Sequence, residues 1–355
     1  MVRTRESVLG SKCPALLLVP WVLLFWSTAS LFAQHDVLDL GLPTDNDALF
    51  RENLPEFYQV VERDYHGEKS TPWEGGRYGF VRNPVPTAQG LIYTRFHEGI
   101  DIRCLHRDAR GEPLDEVRAI ADGKVVHANQ VAGYSNYGRY IVIEHVWDGS
   151  PYYSLYGHLS EIAAAVGQRV SRGERIARMG YTGEGLNQAR AHLHLELNLM
   201  FNRNFESWHD HNFRDPNHNG IYNGINLAGL DVARFFLERE KRPDLSVPQF
   251  LAEEEIFYKV TMPDSPHFDL RKFYPWMVKN VSTHAQSWEV SFARSGMPLQ
   301  IEARSQPVSQ PTLTYVKKSG IDCAYLTRGE LAGRGDHAHL TENGIGLMRL
   351  LTWPE

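Results

Sequence analysis

The chain has 355 residues, a formal net charge of −6, and 42% apolar and 11% aromatic residues, which is material for two modest domains with a real core. That balance, with no basic stripe, argues against nucleic acid or an anionic membrane surface as the main partner.

Residues 1–33 read as a secretory signal peptide. Arg3, Arg5 and Lys12 precede the apolar run PALLLVPWVLLFW, and small residues follow in STAS and LFA. The run is short for a membrane span of about 20 residues. Cys13 precedes the run instead of following it, which disfavours a lipid anchor. The protein is therefore expected to be exported, periplasmic or extracellular, with no stable membrane span after signal cleavage. Cys104 and Cys323 are permitted a disulfide in that compartment. Residues 34–90 form an N-terminal extension, where PWEGGRYGF and NPVPTAQG read as irregular segments.

From about 91 to 205 the chain turns to short apolar alternations broken by glycine: GKVVHA, GRYIVIEHV, the Asp148-Gly149 turn, PYYSLYGHL, then AHLHLEL. This pattern predicts antiparallel β structure. RFHEGIDIRC opens like the H-E-x-x-H helix of zinc proteases, but Asp101 stands where the second histidine belongs and Gly99 weakens a helix. In a straight strand His97 and Asp101 would be about 13 Å apart, too far to share an ion with bonds of about 2 Å. Both can be ligands only if the chain bends near Gly99, a residue that permits it. SLYGHLSEI places His158 just after an apolar strand. In AHLHLELNL, strand geometry puts His192, His194 and Glu196 on one face and Leu193, Leu195 and Leu197 on the other. Glu196 can serve either as an acceptor orienting an imidazole or as a surface carboxylate. Tyr134, Asn136 and Tyr137 lie in a glycine-bounded loop that can border a groove.

Sixteen histidines make accidental pairs common. His337 and His339 sit in a glycine-flanked polar stretch that reads as a surface loop. His209 and His211 lie beside DPNHNG, whose Asp215, Asn217, Asn219 and Gly220 match the opening of a calcium loop; its twelfth position is Asn226, not glutamate. Residues 206–242 read as a loop followed by one helix in LAGLDVARFFLEREK, with Leu227, Leu230, Ala233 and Leu237 near helical spacing. Residues 243–355 alternate again in SWEVSFAR, MPLQIEAR and PTLTYVKK and read as a second, smaller β module. Trp276, Trp288 and Trp353 there serve either sugar stacking or core packing.

The three histidine segments together supply four histidines and a carboxylate in an exported β domain, where a catalytic zinc requires three protein ligands and an open position. In F-H-E-G-I-D-I, A-D-G-K-V-V-H-A, Y-S-L-Y-G-H-L-S, V-G-Q-R-V-S-R-G-E-R-I-A and A-H-L-H-L-E-L, taken in that order, the chain resembles the lysostaphin-type, or LytM, zinc metalloendopeptidases of bacterial cell walls. The resemblance covers residues 91–205 and implies a mainly β fold with an antiparallel groove. It further implies Zn2+ held by His97, Asp101 and His194, with His158 and His192 flanking the water and the substrate carbonyl. The implied activity is hydrolysis of peptide cross-links, with peptidoglycan stem peptides as partners. Two alternatives stay open: a non-catalytic activator of another wall hydrolase, and an exported zinc peptidase acting on proteins. The segments HRDARGEPLDEV and LNQARA depart from the family pattern and bear on the groove.

Overall fold

Alternation of apolar and polar residues between 91 and 200 produces the antiparallel sheet that the pattern predicts. The computed structural model describes residues 38–59, 64–65, 67–69, 73–280 and 284–354; the signal expected at residues 1–33 lies outside them. Among the described residues no helix is long and apolar enough to cross a membrane.

A hairpin of β1 (Gly79–Thr87) and β2 (Gly90–His97) leads into β3 (Ile100–Arg103). β4 (Gly123–Asn129), β5 (Arg139–Trp147), β6 (Ser150–Leu159) and β7 (His192–Met200) then lie side by side, each antiparallel to its neighbour. The far edge of β7 is shared: β3 pairs with its first half, and β8 (Leu227–Gly229) pairs with its end. β5 turns into β6 through Asp148 (φ 49°) and Gly149 (φ 73°), both in the left-handed region that a two-residue hairpin turn requires.

Helices are short. Residues Phe205–Asn212 form helix α1, where the composition read as loop. The window is dominated by His, Asn and Asp, yet Phe205, Trp208 and His209 supply an i, i+3, i+4 face that is buried. Helix α2 spans Val232–Lys241, starting later than the apolar spacing indicated, because Leu227 is taken into β8 and Asp231 caps the first turn through Arg234 N.

The C-terminal alternations do form strands. Ser287–Phe292, Pro298–Arg304 and Thr312–Val316 join Tyr258–Pro263 and Val278–Asn280 in a five-stranded sheet. One apolar core is continuous from Ile102 and Leu195 through Phe235 and Phe250 to Val290 and Leu350. Trp288 is buried and Trp276 and Trp353 pack against that core, which is the packing use of tryptophan. Cys104 and Cys323 are both buried and unpaired; Cys104 Sγ donates to Asp115 Oδ2 at 3.1 Å instead.

Candidate metal centre

Neighbouring strands bring the candidate residues together. In the β3–β7 ladder Asp101 lies directly opposite His194, and on the other side of β7 His194 faces Gly157 of β6. Gly157 has no side chain, so the rings of His194 and Tyr137 share the space above it. His97 ends β2, and the chain bends through Glu98 and Gly99 before Ile100 begins β3, which brings His97 over Asp101. A Cβ on Gly99 would sit 2.3 Å from the Leu195 carbonyl oxygen, so the bend requires glycine.

The donor atoms converge tightly. His97 Nε2 and His194 Nδ1 are 3.1 Å apart, His97 Nε2 and Asp101 Oδ1 3.1 Å, and His194 Nδ1 and Asp101 Oδ1 3.0 Å. Among the described residues this is the group of metal-capable side chains whose donors meet. The ring orientations are set from outside. His97 Nδ1–H donates to the Arg77 carbonyl at 2.8 Å, and His194 Nε2–H donates to Glu196 Oε1 at 2.8 Å. With those protons placed, two imidazole nitrogens and a carboxylate oxygen converge on one point, which calls for a positive charge between them: a proton on His194 Nδ1 in the metal-free chain, or a metal ion in its place. The donor separations are close to about 3.3 Å, the edge of a tetrahedron with bonds of about 2.0–2.1 Å. The residues present therefore fit a zinc-sized ion with nitrogen and oxygen ligands.

His158 and His192 border the triplet, their rings 4.7 Å apart. His192 Nδ1–H donates to the Arg190 carbonyl at 2.7 Å and His158 Nδ1–H to the Thr182 carbonyl at 2.8 Å, so Nε2 is the remaining nitrogen of each ring, and that of His192 lies 3.4 Å from Asp101 Oδ1. His158, the penultimate residue of β6, takes a left-handed backbone conformation (φ 63°), an uncommon one for a residue with a side chain. Burial, then the neighbouring His192 and His194, hold its pKa well below the usual histidine value.

Glu196 is 1% exposed and is no surface carboxylate. It accepts from His194 and from the Tyr137 hydroxyl on Oε1 (both 2.8 Å) and from Asn198 Nδ2 on Oε2 (2.9 Å). Burial opposes its ionisation, but these three donors hold its pKa below the ordinary value. Burial likewise opposes a charge on His194, yet the hydrogen bonds to Asp101 and Glu196 push it up to about 10 in the metal-free chain. Asp101 is buried, and despite that burial His97, His192 and Arg82 together keep it well below the carboxylate range. For His97, burial and the charge of Arg82 lower the pKa.

Arg82 is a further residue of the site. It sits in β1, inside a stretch without a recognisable motif, and its Nη2 reaches Asp101 Oδ2 at 2.6 Å. The two departures from the family pattern meet each other. Arg107 Nη1 donates to the Gln188 carbonyl at 2.7 Å, and Glu112 accepts from Gln188 Nε2 at 2.6 Å and Tyr181 OH at 3.1 Å. Together they brace the turn that ends at Arg190, whose carbonyl orients His192. The other histidine pairs do not join the centre. In the DPNHNG loop Asn217 and Asn219 are used in turn and loop hydrogen bonds, and His218 stacks on Tyr134 at 4.0 Å, giving a turn-rich connection.

A mainly antiparallel β domain with two histidines and an aspartate converging beside two further histidines is the site of a metallopeptidase-type domain. Residues 95–205 match the model of peptidase family M23, and the chain belongs to that family. It is 35% identical to lipoprotein NlpD of Yersinia enterocolitica, over 25% of this chain and 79% of that protein. It is 47% identical to the peptidoglycan DD-endopeptidase ShyA of Vibrio cholerae, over 17% of this chain and 13% of that protein. Among solved structures, the catalytic domain of lysostaphin from Staphylococcus simulans is 28% identical, with 34% of this chain and 76% of that one covered and a TM-score of 0.23. The chain spans only 22%, 17% and 34% of three further curated relatives: an uncharacterized metalloprotease of Haemophilus influenzae, the murein hydrolase activator EnvC of Escherichia coli and an NlpD/LppB homolog of Pseudomonas aeruginosa.

Proposed function

We propose that the chain is an exported zinc metalloendopeptidase that hydrolyses peptide cross-links of peptidoglycan, with residues 91–205 as its peptidase domain and residues 243–355 as an accessory module. The observation that carries this reading is the convergence of His97 Nε2, Asp101 Oδ1 and His194 Nδ1 within 3.1 Å, each with its other polar atom already engaged. The name of the ShyA relative supports the substrate class, and the order of residues in the first 33 positions supports export.

His97, Asp101 and His194 would hold the ion. The chemistry such an ion supplies is polarisation of the scissile carbonyl and activation of water near neutral pH. His158 and His192, tied through Nδ1 to backbone carbonyls, keep Nε2 for the reaction. In this tautomer Nε2 carries a lone pair that takes the proton of the attacking water; the imidazolium so formed steadies the oxyanion through Nε2–H and returns the proton to the leaving amine. Neither serine nor cysteine is required as a nucleophile. Arg190 O and Thr182 O keep the two imidazoles in the tautomer this work needs.

A second reading, activation of a separate wall hydrolase, is favoured by the resemblance to EnvC and by the closure of the site, where His97, Asp101, His192 and His194 are all at most 5% exposed. The deciding experiment is mass spectrometry of purified sacculi incubated with the chain lacking residues 1–33, with and without a zinc chelator. Chelator-sensitive release of cleaved cross-link peptides supports the peptidase. No release from folded, zinc-loaded protein, combined with stimulation of an added amidase, supports the activator.

A further inference from the structure

The residues that orient the two N-terminal ligands come from outside the stretch that matches the family. That match begins at residue 95. Yet Gln59 N donates to the Asp101 carbonyl at 2.8 Å, Tyr58 bridges to Ile102, and the Arg77 carbonyl takes the Nδ1 proton of His97. The backbone there is packed closely, because a Cβ on Gly76 would come within 2.8 Å of the Gln59 carbonyl oxygen. Residues 58–59 and 75–82 thus lie against the segment that carries His97 and Asp101.

Among the described residues of this layer, the side-chain charge that touches a ligand is that of Arg82. Its Nε donates to the Gly75 carbonyl at 2.8 Å and its Nη2 to Asp101 Oδ2 at 2.6 Å, so the guanidinium is anchored at one end and grips the carboxylate at the other. The side chain is 13% exposed and Asp101's is 4% exposed. Resting on the metal reading above, we infer that Arg82 is a positioning residue for the metal ligand Asp101, and that the extension before the family domain is thereby a built part of the metal site.

The physical argument turns on the two carboxylate oxygens. Arg82 occupies Oδ2 and leaves Oδ1 as the single oxygen facing the imidazoles of His97 and His194, with His192 Nε2 beside it at 3.4 Å. Without the guanidinium the carboxylate is free to rotate, and its buried Oδ2 loses its charged partner. A competing effect has the opposite sign, since a cation near the site repels a metal ion. That repulsion is small here, because the guanidinium charge is compensated by the carboxylate it touches, whereas the lost orientation acts on the bond itself. Orientation wins, and removal of Arg82 weakens metal binding.

The test is the zinc affinity of the full chain, measured with Zn2+ against a chromophoric chelator, for wild type, Arg82→Ala, Arg82→Lys and the control Arg95→Ala. Arg95 is exposed and pairs with Arg82 across the hairpin, so it reports general damage to that hairpin. Arg82→Ala is expected to bind zinc about 10–100-fold more weakly, Arg82→Lys to recover part of the loss because it keeps the charge without the fork, and Arg95→Ala to match wild type. If Arg82→Ala does not fold, Arg82→Gln reads the same point with the volume kept and the charge removed. Wild-type or tighter affinity in a folded Arg82→Ala or Arg82→Gln chain overturns the inference alone. A wild-type chain that takes up no zinc overturns the metal reading, and this inference with it.

Discussion

Glu196→Gln is the substitution that most directly tests how the buried carboxylate serves His194. In wild type, Glu196 accepts from His194 Nε2, from Tyr137 OH and from Asn198 Nδ2, and all of it is buried. Glutamine keeps the volume and one acceptor oxygen, so His194 and Tyr137 retain a partner, but the negative charge is gone. The charge that raises the affinity of the ring for a proton also raises its affinity for a metal, and outer-layer partners of this kind are worth 10–100-fold, or about 1.4–2.7 kcal/mol of binding free energy. Stability should change much less than in Glu196→Ala. There His194 Nε2 and Tyr137 OH are orphaned in the interior at about 1–3 kcal/mol each, while Asn198 Nδ2 keeps a bond to the Tyr153 carbonyl. Chelator competition gives the zinc affinity, and thermal melts of the metal-free proteins give the stability difference. Zinc affinity of Glu196→Gln within twofold of wild type would refute the reasoning, because the carboxylate would then be a structural buttress and not an electronic one.

Three further outcomes follow from the geometry. His194→Ala should abolish zinc binding, whereas His192→Ala should leave zinc bound and remove most turnover; equal zinc loss in the two, measured by metal analysis after gel filtration, would contradict the division of labour. Acid should destabilise the metal-free chain through His127 and His145, which burial lowers to about 4. Their folded pKa lies below the unfolded value near 6.5, so their contribution is intact above pH 6.5 and is lost as pH falls toward 4, by at most about 3 kcal/mol each. Melting temperatures across that window check the sign, and a His145→Asn variant should show a shallower slope than wild type. Finally, Glu112→Ala should loosen the turn before Arg190 and reduce turnover on cross-link peptides by up to about tenfold through misplacement of His192, with zinc affinity unchanged. A parallel fall in zinc affinity would show that the damage reaches the ligands.

What could be read from the residues was whatever has a period or a steric necessity. HLHLEL declares its two faces through strict alternation, and the impossibility of reaching one ion from a straight strand required the bend that Gly99 makes. The helix at 205–212 was hidden because its polar letters outvote three buried ones. Burial of the polar face of β7 was also hidden, since alternation says which side chains share a face but not that another layer covers it. Glu196 therefore read equally well as a surface group. Arg82 had no signal, because its partner is 19 residues away across a hairpin of irregular composition. The bracing of Gln188 by Arg107 and Glu112 was visible only as two segments of unusual length, whose meeting depends on tertiary placement.

The register that sets Asp101 beside His194 joins residues 93 positions apart. Pairings of that span form after long loop closures and are slow to establish. Of the three ligands only His97 and Asp101 are close in sequence, so the complete set arises only when β3 has already docked on β7. On the proposed metal reading, an ion taken up at this site would act on the exit from the native state: it would slow unfolding and leave the rate of folding nearly unchanged.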